Sequence, residues 1–568
     1  PDATKWDHTK WSPNYRNDNR IETHESGTAP CKTACPAHVA VQGYLKLAAQ
    51  GRYDEALALI KRENPLPAIC GRVCNRRCED ACTRGRVDAA VAIDEVKKFI
   101  AQRDLDAATR YVPPVVTPTR AGGFDQKIAI IGAGPAGLSC AFYLAEKGYK
   151  PVVFEKNERP GGMLTYGIPS FKLRKDVIEA EVEVIRLMGA EFRYGVEVGR
   201  DVTLDELRAQ GFKAFYVAIG CQGGRLAGIP GEDAEDVTVA VDFLREVNSG
   251  KIDALPGRTI VVGGGNVAID VARNACRLGS EHVEMFCLES EAQMPASEEE
   301  RREAVEDGAH ISCGWGPKEV HLDEAGRVCG ITFKRCTRVY DDEGRFAPEY
   351  DENDLRRVDA DRVVMSIGQS IVWGDLLAGS KVELGRGQGA LADPQTYQTA
   401  EPDIFVGGDV YTGPSFAIDA IAAGHEAAVS IHRFVQPGST LTIGRNQRRY
   451  TALDRNDVVL ESYDNASREV AHVDREREKA APFSEYVETF TEEQVRAETA
   501  RCLGCGASIV DPNKCIGCGL CTTKCAFDAI HLDRDRPECS TMVKYEQKLP
   551  SLGKYALKRA IKIKFGKK

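Results

Sequence analysis

The sequence lacks any run of about 18 consecutive apolar residues, so we expect no membrane-spanning helix. Its polar N-terminus also lacks the apolar core of a secretory signal peptide. Basic residues are not in excess, because the formal net charge is −10 at pH 7, and this balance argues against a nucleic-acid-binding protein. We therefore expect a globular chain located in the reducing cytoplasm, where disulfides are rare.

Cysteine, in contrast, is abundant, and the 20 cysteines concentrate near the two ends of the chain. Disulfide scaffolds are typical of short secreted chains, whereas clustered cysteines in a long cytoplasmic chain favour metal or iron–sulfur ligation. Four cysteines at short spacing also suit zinc, and one or two of them can be ordinary buried thiols. Two groups of cysteines favour iron–sulfur clusters in the N-terminal segment, and the predicted ligands are Cys31, Cys35, Cys70, Cys74, Cys78 and Cys82.

A second cysteine-rich stretch lies near the C-terminus. Its Cys-x₂-Cys-x₂-Cys-x₃-Cys spacing matches the bacterial ferredoxin run, although Ala526 replaces the usual proline. The fourth cysteine of such a run normally binds another cluster, so Cys525 or Cys539 is the candidate fourth ligand for the first three. Phe527–Ile530 fits the short strand of a ferredoxin. The predicted ligands in this stretch are Cys502, Cys505, Cys515, Cys518, Cys521 and Cys525.

The segment Lys127–Glu155 has the pattern of a dinucleotide-binding βαβ unit. An apolar strand runs into the glycine-rich sequence Gly132–Gly137, a helix follows, and a second strand ends in Glu155. The glycines permit a tight turn, close approach of a pyrophosphate and tight helix–strand packing, and the helix N-terminus attracts phosphate. Glu155 is placed to accept a hydrogen bond from a ribose hydroxyl.

A second fingerprint of the same kind lies at Thr259–Arg273. Two dinucleotide folds in one chain suggest two nucleotides, with electrons or hydride passing between them. The next strand, about His282–Leu288, leads into Glu289. An acidic residue there suits a free ribose 2′-hydroxyl, whereas a 2′-phosphate would favour arginine, so we expect NADH rather than NADPH. The alternative is that the acids of this loop are only solvated charges.

The remaining pattern gives further expectations about the fold. We expect one helix over about Val41–Lys61, and we expect the strand Arg362–Gly368 to return to the first sheet. The segment Ile404–Val410 gives a strand, two glycines and then Asp409, which is placed to bind a ribityl or pyrophosphate group. The helix that follows, at Pro414–Val429, would direct its N-terminus towards a flavin.

These motifs together resemble a known family. The chain carries NPLP and CGRVC, then GAGPAGL, GGMLTYGIPSFKL, AIG, GGGNVAIDVAR, MPA and VGGD, over about Pro30–Val435. It resembles the small subunit of glutamate synthase, and it is similar to the N-terminal half of dihydropyrimidine dehydrogenase and to the large subunit of NADH-dependent reduced-ferredoxin:NADP oxidoreductase. The resemblance implies FAD at the first fingerprint, NAD(P) at the second, and two to four [4Fe–4S] clusters in the chain. The predicted cofactor-binding residues are Gly132, Gly134, Pro135, Ala136, Gly137, Glu155, Lys156, Gly162, Met163, Gly167, Gly263, Gly264, Gly265, Asn266, Val267, Glu289, Gly368, Gly408, Asp409 and Ala417.

The expected fold class is α/β, with two nested Rossmann-type domains for FAD and NAD. An N-terminal helical iron–sulfur domain and a C-terminal ferredoxin-like module flank them. The predicted divisions are 1–123 for the N-terminal iron–sulfur domain, 124–250 and 371–435 for the two parts of the FAD domain, 251–370 for the NAD(P) domain, 436–497 for a connector, 498–540 for the ferredoxin-like module and 541–568 for a basic tail.

Two departures from the family pattern carry information. The family usually has arginines after the second strand of the second fingerprint, where this chain has Glu289, and this supports NADH. The family's N-terminal segment usually opens with an Arg-Cys-x₂-Cys pair, which is missing before Cys31, yet Arg501–Cys505 resembles that piece.

We therefore hypothesise that Cys502 and Cys505 fold back, in the same chain or a partner copy, and complete a cluster with Cys31 and Cys82. A second cluster would use Cys35, Cys74 and Cys78, with Cys70 as the candidate fourth ligand. The rival hypothesis places Cys502 and Cys505 in the C-terminal ferredoxin-like module.

The resemblance implies an electron-transfer flavoprotein that moves electrons between NAD(H) and iron–sulfur clusters through FAD. Its expected partners are other redox subunits of a larger complex or ferredoxin, and a homodimer of the complex is an option. The alternatives are an electron-bifurcating subunit, the small subunit of NADPH-dependent glutamate synthase, and a non-catalytic electron relay. The basic tail, with an amphipathic helix at Tyr555–Phe565, suits an anionic lipid surface or an acidic partner, or is simply a solvated or subunit-docking tail.

Overall fold

The computed structural model of the chain describes residues 27–115, 124–456, 458, 463–506, 515–524, 530, 532 and 544–565. The expectations for Cys525, Cys539 and all but the last residue of the strand Phe527–Ile530 lie outside these residues. The chain divides into two compact units, Ser26–Gly506 and a second unit of Pro1–Glu25 with Ala507–Lys568. Cys502 and Cys505 therefore belong to the same unit as Cys31.

The N-terminal segment is helical, but the single helix expected at Val41–Lys61 is wrong. The chain forms two helices there, because Gly51 adopts φ +71°, a left-handed conformation that ends the first helix. The helices of this segment are Pro30–Thr33, Val41–Ala49, Tyr53–Lys61, Pro67–Val73, Arg77–Asp80 and Ile93–Ala101, with 3₁₀ turns at Thr83–Arg86 and Gln102–Asp104.

The first dinucleotide domain contains a five-stranded parallel sheet. Its strands in spatial order are Ile404–Val406, Phe212–Val217, Lys127–Ile131, Val152–Glu155 and Glu191–Tyr194. The strand at Ile404 returns from far along the sequence, so this domain is assembled from two separate parts of the chain. Its helices are Pro135–Glu146, Met163–Tyr166, Lys175–Leu187, Leu204–Ala209, Asp409–Thr412 and Ala417–Val435.

The second dinucleotide domain has its own five-stranded parallel sheet. Its order is Val237–Val239, Arg362–Met365, Arg258–Val262, His282–Cys287 and His310–Cys313. The expectation that Arg362–Gly368 returns to the first sheet is wrong, since Val363 pairs with Val237 and Ile260. An apolar run fits either buried sheet, so its sequence did not distinguish them. The helices are Ala240–Asn248, Asn266–Arg277 and Glu298–Glu306, with a 3₁₀ turn at Glu291–Gln293. The 3₁₀ turn at Arg386–Gln388 belongs to the first domain, where Trp373 donates to the carbonyl oxygen of Gln388.

Two smaller sheets accompany the second domain. Trp315–Leu322, Val328–Tyr340 and Phe346–Val358 form an antiparallel sheet that packs on the parallel sheet through Phe286 and Phe333. Gly223–Gly224 pairs with Gln369–Ser370 at the two crossings between the dinucleotide domains.

The C-terminal arm, residues 463–506, wraps this unit. It contains the helices Arg475–Ala480 and Glu492–Ala500. Phe490 and Val495 are buried in the same hydrophobic core as Leu45 and Ile93 of the N-terminal segment. The arm is therefore an integral part of the N-terminal domain and not only a surface connector.

The second unit contains the helices Leu520–Lys524 and Tyr545–Phe565. The expected amphipathic helix of the tail is present and begins at Tyr545 rather than Tyr555. Its described side chains are exposed. Among the described residues, no helix is both long and apolar enough to cross a membrane.

Candidate functional site

The glycine loop of the first fingerprint forms the tight cradle expected for a dinucleotide. Gly132 has φ +105°, and a Cβ at Gly137 would lie only 1.9 Å from the carbonyl oxygen of Gly132. A Cβ at Gly134 would instead meet nothing within 4 Å. Helix and strand therefore touch at Gly137, while Gly134 leaves open space where a pyrophosphate can approach the backbone.

Glu155 ends the second strand of this fingerprint, and its carboxylate is 2% exposed. The backbone N–H of Ala133 donates to Oε2 at 2.8 Å, and the N–H of Asn157 donates to Oε1 at 2.9 Å. The carboxylate is thus held in one orientation at the edge of the cradle, where it can also accept a ribose hydroxyl.

Asp409 and the helix beginning at Ala417 close the other side of the cradle. The N–H of Ser415 donates to Asp409 Oδ1 at 3.2 Å, and burial raises the pKa of Asp409 to about 6. No side chain caps the N-terminus of the helix Ala417–Val435. Its free N–H groups and positive dipole end favour negative charge on a bound ring or phosphate.

The glycine loop of the second fingerprint repeats the geometry. Gly263 has φ +144°, and a Cβ there would lie 2.2 Å from the carbonyl oxygen of Ser366. A Cβ at Gly264 would lie 3.0 Å from Glu289 Oε2, so the Glu289 carboxylate sits directly beside the loop. Gly265 faces open space, as Gly134 does in the first domain.

Arg301 is a residue of this second site that the sequence did not reveal. Its Nη1 donates to the carbonyl oxygen of Glu291 at 2.6 Å, whereas its buried Nε has no hydrogen-bond partner. Arg301 lies on a different helix from the fingerprint, so no local spacing connected it with the loop that contains Glu289.

One cavity of about 780 Å³ joins both dinucleotide sites to the N-terminal segment. Residues of that segment that line it include Cys74, Asn75 and Glu79. The predicted cofactor-binding residues that line it are Gly132, Gly134, Pro135, Ala136, Glu155, Gly162, Met163, Gly167, Asn266, Val267, Gly408, Asp409 and Ala417.

The other predicted cofactor-binding residues lie around this cavity. Gly137 is inside the first turn, and Lys156 lines a small neighbouring cavity with Glu155. Gly368 has φ +127° at the crossing between the domains. The residues of the second loop that lie outside the cavity are Gly263, Gly264, Gly265 and Glu289.

Lys172 links the two dinucleotide domains at this cavity. Its Nζ lies 2.6 Å from Asp270 Oδ1 and also pairs with Glu300. Lys172 belongs to the first domain and both acids to the second, so this ion pair fixes the domains against each other where their cofactors would meet.

Four thiols from opposite ends of the chain line a single small cavity. This first thiol group consists of Cys31, Cys82, Cys502 and Cys505. Burial and the neighbouring thiols raise the pKa of Cys31 to about 12. Among the described residues, no three His, Cys, Asp or Glu side chains lie close enough together to hold a single metal ion. The four thiols of the first group line a cavity rather than meet at one point.

Arg501 anchors the arm that brings Cys502 to this group. Its guanidinium is fully buried, and it donates to Glu498 Oε1 at 2.6 Å and to the carbonyl oxygen of Ala89 at 2.6 Å. Gln42 Nε2 donates to the carbonyl oxygen of Cys505 at 2.8 Å. Hydrogen bonds donated by Arg501 of the arm and by Gln42 of the N-terminal segment thus hold the arm against that segment.

The second thiol group reaches the dinucleotide cavity through Cys74. It consists of Cys35, Cys70, Cys74 and Cys78. Cys74 lies within electrostatic reach of each of the other three thiols, and burial is the main cause that raises the pKa of Cys74. Because Cys74 also lines the dinucleotide cavity, this group adjoins the first dinucleotide site.

Two further thiols form a pair that the sequence spacing did not indicate. Cys287 Sγ and Cys313 Sγ lie 3.7 Å apart, because the two residues are opposite each other on neighbouring strands. The pair lies in the second dinucleotide domain, next to Gly264. Cys221, which lines the dinucleotide cavity, belongs to a different loop.

Two nested dinucleotide folds, joined by one cavity to a cysteine-rich helical segment, define a class: oxidoreductases that combine FAD, a pyridine nucleotide and iron–sulfur clusters. The chain belongs to the pyridine nucleotide-disulphide oxidoreductase family, whose model matches residues 126–424. Residues 22–109 match dihydropyrimidine dehydrogenase domain II, a 4Fe-4S cluster domain, and residues 508–531 match a 4Fe-4S binding domain. It is therefore a redox enzyme subunit of the glutamate synthase small-subunit type, with FAD and [4Fe–4S] clusters as its cofactors.

Curated relatives cover most of the chain. The NADP(+)-dependent formate dehydrogenase subunit beta of Moorella thermoacetica is 35% identical over 513 residues, which are 84% of this chain and 70% of that protein. The glutamate synthase [NADPH] small chain of Escherichia coli K12 is 35% identical over 431 residues, 72% of this chain and 89% of that protein. The NADPH-Fe(3+) oxidoreductase subunit beta of Geobacter sulfurreducens is 32% identical over 520 residues, 84% of this chain and 75% of that protein.

Proposed function

We propose that this chain moves electrons between NAD(H) and its [4Fe–4S] clusters through FAD, and passes them to or from a partner redox subunit or ferredoxin. The observation that supports it most is the single cavity that both dinucleotide sites share with Cys74. FAD accepts a pair of electrons as hydride and releases them singly to one-electron carriers such as iron–sulfur clusters.

The residues of the chain bind and orient the groups for this transfer. Gly134 would leave room for the FAD pyrophosphate, Glu155 would accept a hydrogen bond from a ribose hydroxyl, and the helix at Ala417 would offer its positive end to the ring. Lys172 pairs across the cavity with Asp270 and would keep the two domains in the relative position in which a nicotinamide and a flavin could meet.

The proposed nucleotide is NADH. The position of the Glu289 carboxylate beside Gly264 supports this preference, because an acid there accepts hydrogen bonds from a ribose 2′-hydroxyl and repels a 2′-phosphate. The relatives whose names specify NADP(H) support the opposite preference, and Arg301, which lies against the same loop, is a cation that would serve a 2′-phosphate. The choice between NADH and NADPH therefore depends on the side chains of Glu289 and Arg301.

Replacing Glu289 by alanine should raise the KM for NADH about tenfold or more, because a hydrogen bond to a charged group contributes about 1.5–3 kcal/mol. Use of NADPH should be unchanged or improved. Glu291→Ala is the matched control, because Glu291 is an exposed acid of the same loop. Steady-state kinetics with both nucleotides tests this. A normal KM for NADH in the Glu289 variant, with loss of NADPH use in Arg301→Ala, would instead identify an NADPH enzyme.

The proposed cluster ligands follow the two thiol groups. The first thiol group would hold one [4Fe–4S] cluster, with half of its ligands supplied by the C-terminal arm. The second thiol group would hold the cluster nearest to FAD, with Cys70 as the fourth ligand. Convergence of the first group on one cavity supports the first assignment, and burial of Cys35, Cys70 and Cys78 supports the second.

The ferredoxin-like module is the proposed exit for electrons. Cys515, Cys518 and Cys521 are the predicted ligands that lie within the described residues, and the match to a 4Fe-4S binding domain supports a cluster there. Relatives named as a formate dehydrogenase subunit and a glutamate synthase subunit support a larger complex as the destination.

A direct assay tests the proposed function. The full chain, reconstituted anaerobically with FAD, iron and sulfide, should reduce ferricyanide with NADH and, in the reverse direction, should reduce NAD⁺ with a chemically reduced low-potential viologen. Lack of NADH oxidation with every acceptor, in a preparation that retains FAD and iron, would overturn the proposal. Purification of the native complex would then identify the physiological partner.

A further inference from the structure

The helix Ile93–Ala101 carries a buried lysine that the proposed electron path does not yet use. Lys97 is only 6% exposed, and it forms an ion pair with Asp94 one turn earlier, which is 5% exposed. A buried lysine normally has a compensating negative charge nearby, because removing an ammonium group from water costs several kcal/mol. Asp94 supplies one compensating negative charge, and a second source of negative charge lies nearby.

That second source is the second thiol group. The helix Pro67–Val73, which carries Cys70, packs against the lysine helix so closely that a Cβ at Gly71 would lie 2.7 Å from Lys98 Cα. The Lys97 ammonium consequently lies within electrostatic reach of Cys70, Cys74 and Cys78. It thus faces three of the four thiols next to the dinucleotide cavity.

The ammonium stays charged in this position. Asp94 lies against it as a buried ion-pair partner, and such a partner keeps a buried ammonium in its charged form. Two acids, Asp94 and Glu79, lie within electrostatic reach of Cys78. The neighbouring Arg76 and Arg77 are paired with Glu299 and Asp419. The positive charge of Lys97 therefore opposes a local excess of negative charge.

We infer that Lys97 provides a fixed positive charge that raises the reduction potential of the cluster in the second thiol group. This inference rests on the proposed function, because it requires a cluster at that group. A reduced cluster carries one more negative charge than an oxidised one, so a nearby cation stabilises the reduced form. The effect is strong because the ammonium is buried, where little water screens it. Lys97 therefore acts through its charge and makes the cluster nearest to FAD easier to reduce.

The test is an EPR-monitored redox titration of the reconstituted full chain. Lys97→Met removes the charge at nearly constant volume, and should shift the reduction equilibrium of one cluster at least tenfold towards the oxidised form. For a one-electron couple, tenfold corresponds to about 59 mV. The affected signal should be the one that is missing in Cys78→Ser. Lys97→Arg should retain the wild-type potential, which a purely structural role would not predict.

Two further variants make the result decisive. Asp94→Asn should shift the same cluster in the opposite direction, and Lys97→Met combined with Asp94→Asn should fall between the single variants. The double variant also avoids leaving a buried carboxylate unpaired, so it keeps the test valid if Lys97→Met fails to fold. Lys98→Met is the matched control, because Lys98 Nζ donates to the carbonyl oxygen of Val487 at 2.9 Å and pairs with Glu485.

The inference is overturned if Lys97→Met has the same cluster potential as wild type. It is also overturned if the double variant has the same potential as Asp94→Asn. Either result would leave the proposed function intact. If Cys78→Ser retains every EPR signal of the wild-type chain, the assignment of a cluster to the second thiol group is overturned instead.

Discussion

Replacing Gly137 by alanine should yield a chain that binds FAD at least about 100-fold more weakly, which corresponds to a loss of about 3 kcal/mol. A Cβ at this position would lie 1.9 Å from the carbonyl oxygen of Gly132, and backbone atoms cannot yield by that amount without opening the turn. The turn is the part of the chain that directs N–H groups at the pyrophosphate. Flavin content after gel filtration and fluorescence titration of the apoprotein measure the effect.

Gly134→Ala is the matched variant in the same loop. Its Cβ would meet no protein atom within 4 Å, so the fold should be unaffected. The added methyl group would point into the space proposed for the pyrophosphate, so FAD should bind more weakly than in wild type, but the thermal unfolding of the apoprotein should not change. If Gly137→Ala binds FAD normally, the first fingerprint is not the FAD site.

Replacing Cys502 and Cys505 by serine should remove one cluster from the chain and leave FAD in place. The double variant should lose about four iron atoms per chain, because a [4Fe–4S] cluster deprived of two thiolates is not retained. The reason is geometric: these two thiols line the same cavity as Cys31 and Cys82. Iron and sulfide analysis together with the flavin absorbance tests this prediction.

The matched control is Cys329→Ser, a half-buried cysteine of the antiparallel sheet that belongs to neither thiol group. Cys31→Ser should reproduce the iron loss of the arm variant, since both would disable the same cluster. Iron loss in the arm variant that is additive to the loss in Cys31→Ser would show that Cys502 and Cys505 bind a separate cluster, as the rival hypothesis states.

Much of this architecture could be predicted from local sequence. Each glycine fingerprint specifies its turn, helix and strand within about 30 residues, so the two dinucleotide-binding folds could be predicted from local spacing. The return of the C-terminal arm to Cys31 was also predicted, but only because Arg501–Cys505 resembles a piece that is missing elsewhere.

Other features depend on contacts between distant parts of the chain, and local sequence does not encode them. Gly51 divides a continuous amphipathic pattern into two helices, because the hydrophobic spacing continues across a left-handed turn. The strand at Arg362 could have entered either sheet, since an apolar run only requires burial. Arg301 and Lys97 acquire their neighbours through packing between helices, so their surroundings became visible only in three dimensions.

The central claim is that NADH, FAD and the clusters form one electron path in this chain. Its most direct test is an anaerobic titration of the reconstituted full chain with NADH, followed by the flavin absorbance and by the EPR signals of the clusters in the same samples. We expect the flavin to bleach and cluster signals to appear with sub-stoichiometric NADH, and both responses to be absent in Gly137→Ala. Bleaching of the flavin without reduction of any cluster, or no bleaching with either NADH or NADPH, would contradict the account.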